Sequence, residues 1–189
     1  MTADAPGDAP GDAPADAPAD ALELPAHQLK VALLQPQIAP NTGNIARLCV
    51  ATGTALHLVR PLGFVLSDQK LKRSAMDYWP RLKLTVHDDT EAFLAAAGAE
   101  PRWFFSTTGN VPLWDAGFRD GDWLIFGSET HGIDRSILAA HPDRVVRIAQ
   151  APGERCLNLS TAAGIALYEA LRRTTKMRRR DDSQERMRI

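Results

Sequence analysis

No apolar run in the 189-residue sequence approaches the roughly 20 residues that a membrane-crossing helix needs, so no membrane role is expected. The N-terminus lacks a basic start followed by an apolar stretch, and no secretory leader is expected there. Cysteine is scarce. Cys49 and Cys156 stand far apart, and neither has metal-type spacing with a histidine. They read as two reduced thiols of a cytoplasmic protein without a metal site. A large charge of one sign is also missing, since the formal net charge is −1.

The near-neutral total hides an asymmetry. Residues 1–23 hold Asp4, Asp8, Asp12, Asp16, Asp20 and Glu23 with no Lys or Arg. Against −1 for the whole chain, those six acids leave about +5 for the remainder, roughly half of it in "KMRRRDDSQERMRI". A mildly basic body is compatible with RNA without demonstrating it. The stretch "DAPGDAPGDAPADAPADA" repeats every four residues with no large apolar side chain, so residues 1–26 read as a disordered tail. Residues 27–174 read as a single domain. Residues 175–189 read as a basic, solvated tail, with a hold on RNA phosphates as the lesser reading.

Within the domain, strand and helix patterns alternate. Strands are expected at 30–35, 55–59, 81–87, 102–107, 122–127 and 144–149. Helices are expected in "NIARLCVATG" closed by Gly53, at 67–76 with Ser67 or Asp68 as cap, from Asp89, in "DRSILAAH", and from about Asn158 onward. This alternation predicts an α/β fold with a mainly parallel sheet flanked by helices. In such folds ligands bind beyond the carboxyl ends of the strands. The segments to inspect therefore follow Gln35, Ser106, Phe126 and Ile148.

Three of these loops are unusual. "PNTGNIAR" has neither the G-x-x-x-x-G-K-[ST] nor the G-x-G-x-x-G spacing, so it is no familiar phosphate loop. Its Asn41 can cap a helix, and its Arg47 suits either a phosphate or an ordinary surface ion pair. "FGSETHGI" sets Glu129 between Gly127 and Gly132, two glycines whose closeness suggests backbone packed against something flat. His131 there reads as a general base or a bystander. In "ERCLNLSTAAGIALYEALRR", Leu157, Leu159, Ile165 and Leu167 look like core, Tyr168 is either core or a stacking surface, and Cys156 lacks a neighbouring base for nucleophilic work.

Taken in order, "QPQIAPNTGNIARLCVATG", "LIFGSETHGI" and "RCLNLSTAAGIALYEALRR" resemble the three motifs of the SPOUT, or α/β-knotted, RNA methyltransferases. The likeness runs from about Lys30 to Arg173. It is closest to the small bacterial members that 2'-O-methylate the wobble ribose, cytidine or modified uridine, of leucine tRNAs. The resemblance implies a C-terminal trefoil knot, a homodimer with sites built across the subunit boundary, S-adenosylmethionine as methyl donor, tRNA as partner and no metal. It further implies that Ser106, Gly127, Ile148, Cys156, Leu157 and Ser160 hold the cofactor. Arg47, Asn41, Glu129 and Asn158 would form the catalytic group, with Arg47 and Tyr168 facing RNA. Arg47 is expected to orient the ribose hydroxyl or a phosphate, because a guanidinium is a poor base. Three positions depart from the family pattern: Cys156 replaces a Ser, "GID" replaces Gly-Leu-Pro, and Ala149 replaces a Pro. Another tRNA or rRNA target, or a non-catalytic knotted RNA-binding module, remains as the alternative.

Overall fold

Val31, Ala32, Leu33 and Leu34 follow one another without polar alternation, the pattern of a strand covered on both faces, and all four are buried. They belong to β1 (Lys30–Leu34), in the middle of a seven-stranded sheet. The computed structural model describes residues 24–66 and 79–186, with side chains as far as Thr174. The expected tail before residue 24 and the expected helix at 67–76 lie outside the described residues.

The other strands are β2 (Ala55–Val59), β3 (Leu84–His87), β4 (Arg102–Phe105), β5 (Val111–Pro112), β6 (Trp123–Phe126) and β7 (Val145–Arg147). Their order is β3-β2-β1-β6-β4-β7-β5, and every pair is parallel. Lys30 is paired with both Ala55 and Trp123, so alternate residues of neighbouring strands share a face. Val31, Leu33, Leu56, Leu58, Leu124 and Phe126 pack with Ile45, Ala46 and Cys49 of α1 (Ala39–Thr52) and with Ala163, Ala166, Leu167 and Ala170 of the last helix. Ala32, Leu34, Phe104, Trp123 and Ile125 face the other way, toward Phe93 of α2 (Thr90–Ala96) and Ile137 and Leu138 of α3 (Arg135–Ala140). The last helix, α4, runs Leu159–Arg186. Burial within the first of these layers pushes the Cys49 thiol up to about 12, so it is unreactive.

Local chemistry explains most boundaries. Asp89 accepts from Ala92 N at 2.7 Å and Asp134 from Ser136 N at 2.7 Å, capping α2 and α3. Gly53 closes α1 with φ +73°, its N–H turned back to the carbonyls of Cys49 and Val50. Two boundaries differ from expectation. α1 begins at Ala39, five residues before Asn44, because Pro40 suits a first turn where its missing N–H costs nothing. Strand β3 begins only at Leu84, since the Trp79–Arg81 segment around Pro80 forms a 3-10 turn. The two-residue edge strand β5 carried no readable pattern.

On the α2 side, His57 Nδ1 lies 2.9 Å from His87 Nε2, with Trp123 edge-on to His57 and Phe93 edge-on to His87. Burial first, then the charges of His87 and Lys30, push His57 down to about 4, against a pull upward from Glu100. In the unfolded chain this histidine titrates near 6.5. Between about pH 6.5 and 4 the unfolded state thus binds the extra proton, and stability falls as pH drops through that window. Thermal melts at pH 7 and 4.5 are expected to show this loss, and His57→Gln to show a smaller one.

Candidate active site

The strand order reverses direction between β1 and β6: the chain leaves β1 toward β2 on one side and leaves β6 toward β7 on the other. The crevice beyond their carboxyl ends is where such sheets bind ligands. A cleft of about 570 Å³ opens there, bounded by the segments after β1, β4, β6 and β7 and by the start of α4. Phe105, Phe126, Val146, Ile148 and Leu159 supply apolar wall, while Ser106, Thr108, Glu129 and Asn158 supply polar groups. This size and mix suit a small organic ligand.

One wall is held by a chain of hydrogen bonds across three segments. Glu129 Oε2 accepts from Gln37 N at 2.8 Å, and its Oε1 accepts from Asn41 Nδ2 at 2.9 Å. Asn41 Oδ1 then accepts from Asn158 Nδ2 at 2.9 Å. Asn158 Oδ1 is left to accept from Ser160 N and Ser160 Oγ at 2.8 and 2.7 Å, which caps α4. Asn41 is therefore not the helix cap that the sequence suggests. The N-cap of α1 is Ile38, with no side-chain bond, and Asn41 lies inside the first turn, 6% exposed. Its amide is used between segments rather than on its own helix.

The glycines of the β6 loop also differ from expectation. A Cβ on Gly127 would lie 2.0 Å from the carbonyl carbon of Gly132. Ser128 and Gly132 exchange two backbone hydrogen bonds of 3.2 and 2.9 Å, and Gly132 takes φ +70°. Gly127 is thus required by the loop's own return path, with no flat partner needed. The fold-back turns Glu129 toward Gln37 and Asn41.

Of the residues singled out from sequence, Asn41, Ser106, Gly127, Glu129, Ile148, Cys156, Leu157 and Asn158 all line this cleft. Ser160 does not line it; its hydroxyl is spent on Asn158. Arg47 is exposed on α1 and Tyr168 is 53% exposed on α4, both outside the cleft of a single chain. His131 is at the rim, with Nδ1 2.9 Å from Thr130 Oγ1. Sequence reasoning missed Gln37 and Gln150. Gln37 gives its N–H to Glu129, and Gln150 Oε1 accepts from Leu157 N at 2.9 Å, tying the loop after β7 to the start of α4. Each stands beside a proline-bearing loop, but nothing local marks a partner. Among the described residues, no group of three or more His, Cys, Asp or Glu could hold a metal ion. Among them, no helix is long and apolar enough to cross a membrane.

The chain belongs to an RNA methylase class: residues 28–168 match the SpoU rRNA Methylase family, and the chain is a member of it. The chain is 45% identical over 145 residues to the tRNA (cytidine(34)-2'-O)-methyltransferase of Burkholderia ambifaria, covering 75% of this chain and 93% of that protein. A solved structure concerned with the 2-OH methylation of C/U34 on tRNA has 45% identity, a TM-score of 0.75, and coverage of 78% of this chain and 96% of its own. An AdoMet-bound rRNA methyltransferase from Sinorhizobium meliloti has 26% identity and a TM-score of 0.70, over 78% of this chain and 57% of its own.

The bond chain gives a sharp test. Asn41→Asp replaces the donor facing Glu129 with an acceptor, and is expected to cost about 1–3 kcal/mol in urea unfolding. Adding Glu129→Gln restores a donor at that contact while keeping an oxygen for Gln37 N, so the double variant should recover most of the loss.

Proposed function

We propose that this chain is an S-adenosylmethionine-dependent 2'-O-methyltransferase acting on the wobble ribose, position 34, of tRNA, with leucine tRNAs bearing cytidine or a modified uridine as substrates. The observation that carries this reading is the Glu129–Asn41–Asn158 chain at the cleft, where all three motifs meet. Similarity over nearly the whole length of relatives named for this reaction supports the substrate. The AdoMet-bound neighbour supports the donor. The cleft fits that donor: its apolar walls would suit a purine, and its loop backbone and polar side chains would offer donors and acceptors to the rest. When bound, S-adenosylmethionine supplies an activated methyl group on a sulfonium.

The protein's own task is alignment. Ser106, Gly127, Ile148, Cys156 and Leu157 border the cleft and would hold the donor largely through backbone, a contact that survives the change from Ser to Cys at 156. Asn41, Glu129 and Asn158 keep the three loops in register. Arg47 would hold the ribose hydroxyl or its neighbouring phosphate in line for attack. Arg47 and Tyr168 lie outside one chain's cleft, on the two helices that cover one face of the sheet. That placement supports a homodimer in which a second copy brings them to a site. The trefoil knot is supported by β7 lying between β4 and β5, and by Gly109 pressed against the Val146 backbone, where a Cβ would come within 2.6 Å.

Transfer of tritiated methyl from S-adenosylmethionine to unmodified leucine tRNA tests the proposal. Wild type should label position 34, and Arg47→Ala should lose at least about a hundredfold in kcat. Equal labelling by both would overturn the role of Arg47. No labelling by wild type would overturn the substrate.

A further inference from the structure

The two walls of the cleft are held unequally. On one side, the Glu129–Asn41–Asn158 chain joins three segments and runs on into the cap of α4. On the other stand Ile148, Gln150, Cys156 and Leu157, all from the connection between β7 and α4. Residues 151–157 of that connection are exposed and belong to no helix or strand.

At the tip of the loop, Pro152 and Gly153 stand where a type II turn favours them. Gly153 takes φ +82°, and Glu154 N donates to Ala151 O at 3.3 Å. That turn reverses the chain but does not fix the limb that follows it. One side chain does. Gln150 Oε1 accepts from Leu157 N at 2.9 Å, seven residues on, and closes the loop at its base. Among the described residues, no other hydrogen bond joins the two limbs below the turn. Cys156 and Leu157 are the residues of this limb that would meet a ligand through their backbone. Backbone outside any ladder is free to turn away, and a ligand that must order it loses affinity accordingly. One exposed hydrogen bond shifts such a local equilibrium by about fivefold to tenfold.

We propose that Gln150 is a positioning residue that presets the limb carrying Cys156 and Leu157 as the second wall of the methyl-donor pocket. This rests on the reading of S-adenosylmethionine as donor. Gln150 acts through Leu157 and not on the reacting atoms, so its effect falls on donor affinity and leaves the chemical step alone.

The test uses the full chain with Gln150→Leu, which removes the acceptor, and Gln150→Glu, which keeps one. Trypsin digestion of the ligand-free protein reads the loop directly, because Arg155 lies in it and is exposed. Gln150→Leu should be nicked after Arg155 about fivefold faster than wild type, at an unchanged melting temperature. Its calorimetric Kd for S-adenosylmethionine should rise about fivefold to tenfold. The KM for donor in tRNA methylation should rise equally, with kcat within about twofold of wild type. Gln150→Glu should match wild type in nicking, Kd and KM. Equal nicking and Kd in wild type and Gln150→Leu would refute the proposal. Tighter donor binding by Gln150→Leu would also refute it, since Oε1 would then be a competitor for the Leu157 N–H. An equal loss in Gln150→Glu would overturn it by assigning the effect to the amide nitrogen. No binding of S-adenosylmethionine by wild type would overturn the donor reading, while faster nicking of Gln150→Leu would still uphold Gln150 as the tie of the loop.

Discussion

A carboxylate can only accept, and that one-way property of Glu129 orders the rest of the site. Asn41 must donate to it, so the oxygen of Asn41 is left as an acceptor. Asn158 must then donate to Asn41 and turn its own oxygen to the first turn of α4. Neither amide can flip without leaving two oxygens or two nitrogens face to face. Three segments that meet only in the folded chain thus share a single direction of hydrogen bonding. Such fully connected networks in partly buried surroundings are strong when complete and costly when cut.

The scaffold makes that chain possible by bringing distant loops to one end of the sheet. β1 and β6 are neighbours although the chain travels through β2, β3, β4 and β5 between them. Their following loops therefore start side by side, and the doubling-back at Gly127 and Gly132 turns Glu129 across to the beginning of α1. β7 lies two strands beyond β6, and the loop after it returns through Gln150 and Leu157 to the same place. The apolar cleft floor is made of strand ends whose side chains are core residues anyway. Cleft surface and packing surface are continuous here.

Much of this architecture was readable from the sequence. Apolar runs marked β1 and β6 as strands, Asp89 and the "DRSILAAH" stretch marked their helices, and Gly53 closed another. These signals are local, and each sits within a few residues of its effect. The misread partners at the cleft came where the cause was remote. Asn41 resembled a cap because its true partners are 88 and 117 positions away. Gly127 suggested a flat ligand because nothing in sequence shows that Gly132 comes back beside it. Gln37 and Gln150 passed unnoticed for the same reason. The cleft residues could be named together only through the order of three motifs, a likeness to a family rather than a deduction from pattern. The same likeness assigned Arg47 and Tyr168 to RNA, and one chain leaves both outside its own cleft.

The span of the Asn41–Asn158 bond also has a meaning in time. On a ribosome, the first wall of the cleft is made early, with β1 and α1 near the start of the domain. Its oxygen must wait for a donor 117 residues later, in a loop that precedes the last helix. No nascent or C-terminally truncated chain that stops short of that loop can complete the wall. Completion of this wall therefore waits for the segment that carries Asn158.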